Sequence, residues 1–204
     1  MASRDVLDDR GRSRRAAARV LGAIGLVGAI STAVVAFAGQ GDWGPPGTVE
    51  YQTYELVNRL TAVTIVLMVA APIGLRLACS IAGMGRRARV ALALTTVGLV
   101  TMVIGSMAEF WLFSSAAYEG PGSEGRNVAF LGFELGALLT LLGAIIAGIA
   151  LMRGGGIAGR IGIAILVSLA IGFALAFVGA PLLLFIPLVA ATMAGGALLL
   201  TSGR

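Results

Sequence analysis

Histidine and lysine are absent from this sequence, cysteine occurs once, and only 12% of residues are charged. Each shortage removes a class of chemistry. Without an imidazole there is no bis-histidine haem, no histidine zinc site and no Ser-His or Cys-His nucleophile. Without lysine there is no Schiff-base site for retinal or pyridoxal phosphate. Cys79 cannot form an internal disulfide, and its apolar setting (LACSIAG, 77–83) reads as packing rather than redox chemistry. No Walker loop, metal-ligand cluster or dinucleotide fingerprint occurs. The glycines of RGGGIAG (153–159) follow an apolar helix rather than a strand, which is the wrong context for a phosphate cradle. The sequence therefore predicts a protein that is not an enzyme and carries no metal or cofactor. Only carboxylates could serve an intramembrane enzyme as acid and base, which makes that reading the weakest.

What is abundant is apolar surface. Hydrophobic residues make up 58% of the 204, with a mean hydropathy of +0.96. That exceeds what a soluble domain of this length can bury behind a polar surface. The composition implies a lipid environment. A hydrocarbon layer of about 30 Å takes roughly 20 apolar residues as a helix. Six such runs are expected, over about 17–38, 57–80, 90–114, 128–152, 160–179 and 182–201. The fold class is thus all-α: a single six-span transmembrane bundle over 17–201, preceded by an arginine-rich arm at 1–16 too polar to fold alone and disordered at its start. Gly179-Ala180-Pro181 permits a tight hairpin between the last two spans, and a single bent segment over 160–201 would be about twice the span length. The start of the chain also has the look of a secretory signal peptide ending in AFAG (36–39). A full-length span at 17–38 favours an uncleaved helix.

All fifteen basic residues are arginine, and their distribution is lopsided. Arg4, Arg10, Arg12, Arg14, Arg15 and Arg19 lie in or beside the arm; Arg86, Arg87 and Arg89, then Arg153 and Arg160, and finally Arg204, fall at the same end of the expected bundle. The opposite end holds only Arg59 and Arg126. The positive-inside rule then places both termini in the cytoplasm. Arg10, Arg12, Arg14, Arg15, Arg19, Arg86, Arg87 and Arg89 are expected to contact anionic lipid headgroups, so membrane lipids, not nucleic acid, are the partners implied. The outer connections, 39–55 and 114–127, carry Trp43, Tyr51, Tyr54 and Tyr118, residues suited to the interface. Arginine without lysine, amid much Ala, Gly, Val and Leu, suggests the inner membrane of a bacterium with a GC-rich genome.

Thirty glycines supply small residues for close helix contact: Gly22, Gly25 and Gly28; Gly132 and Gly136, continued by Gly143 and Ala147; Gly162 and Gly172; Gly195 and Gly196. They fit tight packing within one chain, self-association, or docking on a larger membrane complex. Pro72 and Pro187 fall inside spans and are expected to kink them. No clear repeat relates the first three spans to the last three, so an inverted-repeat transporter gains little support.

Function, if it involves the spans, falls to their few ionisable residues. Glu109, in GSMAEFWLFSS (105–115), and Glu134 are expected at similar outer-leaflet depth, where Arg59 and Asn58 of the second span could join them, with Ser106 one turn away. Such a cluster suits an ion or substrate site of a small transporter. Equally, it suits interhelical glue in an accessory subunit. Arg76 either snorkels to the headgroups or forms a second polar site for an anion.

Overall fold

The computed structural model describes residues 2–39, 48–113, 123–178 and 184–202, with side chains from residue 11 onward. The described residues form α1 (Ala2–Ala38), α2 (Val49–Met68), α3 (Ala70–Ile81), α4 (Arg86–Met107) with a π-helical turn at Ala108–Leu112, α5 (Glu124–Met152), α6 (Gly156–Phe177) and α7 (Phe185–Ser202). Taking α2 with α3 and α4 with its π turn, six helices are long and apolar enough to cross a membrane. The chain is an all-helical bundle of the kind expected of a multi-pass membrane protein.

Counting α2 with α3 and the π turn with α4, every helix but α7 runs longer than the apolar window that announces it. α1 continues back through the arginine-rich arm, so the backbone from Ala2 is helical rather than disordered. Its sequence favours this: carboxylates at 5, 8 and 9 precede the arginines at 10–15, the order that suits the helix dipole and i,i+4 pairing. α2 starts at Val49, with the Thr48 hydroxyl accepting the Tyr51 N–H at 3.2 Å, so Tyr51 and Tyr54 belong to a helix and not to a loop. Trp43, Tyr118, Arg204 and the hairpin at 179–181 lie outside the described residues.

The two prolines act differently. Pro72 cannot donate to Met68, so the hydrogen-bond ladder of the second span is interrupted between α2 and α3, although Val69 keeps α-helical torsions (φ −54°, ψ −28°). Pro187 sits in the first turn of α7, where no N–H is needed, and causes no kink. At the arginine-rich end Gly83, at φ 69°, and Gly155, at φ 68°, take the left-handed backbone of the tight connections after α3 and α5.

Consecutive spans pack antiparallel, and their seams are made of small residues. On the α4–α5 seam Gly98 faces Thr140, Gly105 faces Phe133, Gly136 faces Met102 and Gly143 faces Thr95, in each case backbone against backbone. A Cβ on Gly136 or Gly143 would come within 2.5 Å of the opposing backbone nitrogen. Of the G-x-x-x-G pair in the sequence, only Gly136 is in such close contact; a Cβ on Gly132 would meet Gly105 at an ordinary 3.7 Å. α1 presents Gly25 and Gly28 to the α2–α3 junction, against Ala71 and Met68. Hydroxyls tie other pairs: Thr32 to Thr64 at 2.8 Å between α1 and α2, and Ser168 to Thr192 at 2.6 Å between α6 and α7. Such bonds contribute about 0.6 kcal/mol each in membrane bundles.

Leucine at Gly136 should lower stability by at least about 1–3 kcal/mol through overpacking, or about 2–12 °C in Tm, in a detergent melt. Gly195→Ala, where a Cβ meets nothing within 4 Å, should leave the melt unchanged.

Candidate functional site

At the start of α2 and α5 and the end of α4, opposite the arginine-rich end of the bundle, a compact polar cluster forms around Glu109. The α4 helix does not end in a normal turn. The Phe113 N–H reaches back five residues to the Ala108 carbonyl at 3.0 Å, closing a π turn over Ala108–Leu112. Such turns widen the helix and are frequent at functional sites. Here two successive residues, Glu109 and Phe110, both lie buried, while Trp111 and Leu112 stay exposed.

The counter-charge of Glu109 is Arg126. Its Nε lies 3.9 Å from Glu109 Oε1, and the side chains are only 1% and 4% exposed. The guanidinium also lies over two aromatic rings, 6.0 Å from the Tyr51 ring centroid and 5.9 Å from that of Phe110. Tyr54 packs edge-on to Phe110 at 5.6 Å, so one aromatic wall from α2 and the π turn surrounds the cation. Arg126 lies in the first turn of α5, where the helix dipole disfavours a cation, which makes the carboxylate and the ring faces its compensation.

Arg59, the counter-charge expected from the sequence, is otherwise engaged. Its Nε donates to the Phe110 carbonyl at 3.0 Å, its Nη2 lies 3.8 Å from Glu55 Oε2 one turn earlier, and its guanidinium stands 5.8 Å from the Trp111 ring. It thus caps the π turn and borders the cluster without being the partner of Glu109. Asn58 donates to the Tyr54 carbonyl of its own helix at 2.9 Å and supports no carboxylate.

Glu134 is not part of the cluster. The α4–α5 seam brings position 105 against 129 and 133, and carried one turn further it sets 109 beside 126. Glu134 is eight residues beyond Arg126, or about 12 Å along α5. It also points out of the bundle, among the exposed Leu131, Leu135 and Leu138, with no ion pair or hydrogen bond among the described residues. The expected convergence of the two glutamates is therefore corrected to one glutamate inside and one outside. Sequence reading missed Arg126 because 126 was placed in a loop; the start of α5 at Glu124 carries it into the helix.

The arginine-rich end is built differently. Arg86, Arg87 and Arg153 border an open cleft of about 1250 Å³, walled by apolar residues of α4, α5 and α6 such as Leu94, Ile146 and Ile157. On the other side of α4 a cleft of about 520 Å³ is lined by Arg76, Arg86, Arg89 and Ser80 with Ile73, Leu77 and Val90. Of the remaining arginines expected at headgroups, Arg12, Arg14 and Arg15 are exposed on α1, and the side chain of Arg10 lies outside the described ones. Arg19 is committed to the bundle, donating through Nε at 3.1 Å and through Nη2 to the Thr201 carbonyl at the end of α7. Among the described residues no group of three His, Cys, Asp or Glu side chains could hold a metal ion.

The cluster can lock three elements together, and its central pair, Glu109 and Arg126, is buried, while Arg59 at its border keeps an exposed side chain. Removing one partner of a buried pair strands the other, at a cost of about 3–5 kcal/mol, whereas replacing both with apolar residues is often neutral. Glu109→Leu and Arg126→Leu should each sharply lower the unfolding midpoint in detergent, and the double variant should recover most of the loss. Additive losses in the double variant would refute the pairing.

No family model matches the chain, and no curated protein or solved structure matches it, so its role has to be argued from this geometry.

Proposed function

We propose that this chain is a multi-pass protein of a bacterial inner membrane, with both termini cytoplasmic, that catalyses no reaction and serves as an interaction subunit of a larger membrane assembly. The six apolar spans support the membrane setting, and the gathering of arginines at one end of the bundle supports the orientation. The sealed pair of Glu109 and Arg126 supports a structural use of the inner charges.

One observation carries the subunit reading: Glu134 stands on the outer face of α5, ten residues or about 15 Å from the start of that helix, surrounded by exposed leucines. An acid facing hydrocarbon costs up to about 2.5–3.5 kcal/mol at the bilayer centre. A neighbouring helix that supplies a donor or cation would remove that cost, and the leucine stripe would supply its packing surface.

Native mass spectrometry after mild-detergent extraction from native membranes should find the chain with a companion at fixed stoichiometry, either a second copy or another membrane subunit. Glu134→Leu should release that companion without lowering the melting midpoint of the chain. A wild-type chain recovered only as a monomer would refute the reading.

A second reading, a small transporter or ion-handling protein, rests on the π turn that holds Glu109. In that case Arg126 would exchange with a cation or proton during turnover. Glu109→Gln in proteoliposomes would then abolish a pH-dependent flux that the wild type supports; a flux indifferent to this change would remove the idea.

A further inference from the structure

The smaller arginine cleft presents an electrostatic problem that the chain does not solve with its own side chains. Arg76 comes from the middle of α3, while Arg86 and Arg89 come from the first turn of α4, and all three line one space of about 520 Å³. None of the three has an ion pair or hydrogen bond among the described residues. The Nε of Arg89 is buried there without an acceptor. Three like charges lining one cleft repel one another, and a buried guanidinium N–H without an acceptor, such as Arg89 Nε, carries a desolvation penalty. A multivalent anion relieves both costs at once.

The donors specify which anion. Guanidinium forks match the oxygens of a phosphate in bidentate geometry. Ser80 adds a hydroxyl donor on the same wall. The α4 helix begins here behind Gly85, with no side chain capping its N-terminus, so its free N–H groups and dipole favour the same charge. The walls then specify the rest of the ligand. Ile73 and Val90 border the arginines and are themselves exposed on the outside of the bundle. Arg76 lies five residues before the end of α3, about 7–8 Å along its axis. A soluble phosphate has no use for those apolar flanks, whereas acyl chains do. Basic clefts between spanning helices at the cytoplasmic side are where anionic headgroups are held.

We infer that the cleft between α3 and α4 is a specific binding site for an anionic diacyl phospholipid, its phosphate held by Arg76, Arg86, Arg89 and Ser80 and its chains lying against Ile73 and Val90. The inference concerns a different end of the molecule from the subunit and transport readings and stands without either.

The test uses the full chain, delipidated in detergent and titrated with phosphatidylglycerol, phosphatidylcholine or inorganic phosphate, with bound species counted by native mass spectrometry. Phosphatidylglycerol should bind in preference to phosphatidylcholine. The double variant Arg76→Gln/Arg89→Gln should weaken that binding by about thirtyfold, the effect of removing two cations at a membrane surface. Arg14→Gln/Arg15→Gln, on the exposed α1 arm, should not reproduce the loss. Should the first variant fail to fold, Ser80→Glu places an opposing charge at an exposed position of the same cleft and should abolish binding. The proposal is overturned by equal binding of the two lipids, by displacement of the lipid with millimolar phosphate, or by undiminished binding in the cleft variants.

Discussion

The backbone contact between α4 and α5 is the constraint from which the rest follows. Where glycine replaces every larger residue at the contact points, two helices meet at main-chain distance, and a slide by even one residue would drive a side chain into a peptide group. Gly98, Gly105, Gly136 and Gly143 therefore fix a register as well as a separation. That register decides which residues meet at the end opposite the arginines. It sets Glu109 beside Arg126 and sends Glu134 outward. The ion pair is thus a consequence of glycine placement a full helical repeat away.

The π turn completes the arrangement. An α-helix continued past Met107 would place Glu109 and Phe110 a full 100° apart on its surface. The wider turn keeps both buried, giving Arg126 a carboxylate and an aromatic face together, and it leaves the Phe110 carbonyl free to accept from Arg59. Second, third and fourth spans are joined at one point by interactions of three kinds: charge, ring face and backbone acceptor.

The spans were legible from the sequence because the criterion is additive: about twenty apolar residues in a row are visible whatever they touch. All six windows correspond to helices: α1 reaches back fifteen residues through the arginine-rich arm, α2 and α5 begin early behind Thr48 and in the polar first turn Glu124–Asn127, and α7 begins at Phe185, inside its window. Rotation and register were not legible. In lipid the outward face of a helix is as apolar as its inward face, so no pattern distinguishes Leu138, exposed, from Leu92, buried. Placing Glu134 with Glu109 compared depth alone, and depth errors of two turns pass unnoticed when the helix ends are set by hydropathy. Arg126 was hidden for a related reason: a charged residue at a span boundary reads as loop until the helix start is known. The pairing of Arg76 with Arg86 and Arg89 was equally out of reach, since it joins two helices across a connection whose path depends on the left-handed Gly83.

The missing hydrogen bond at Pro72 marks the middle of the second span. The first segment, α2, takes its position from α1, α4 and the π turn through Tyr54, Arg59 and Thr64, while α3 rests on α1, α4 and α7, with Ala71, Gly74 and Leu75 at its contacts. Pro72 withholds one donor at the junction, while the backbone of Val69 stays α-helical and its N–H still reaches the Ile65 carbonyl at 3.1 Å. The two ends of the molecule, one organised around a buried salt bridge and one around open arginine clefts, are instead tied together by α4, which carries Arg86 and Arg89 at its start and runs on to Glu109.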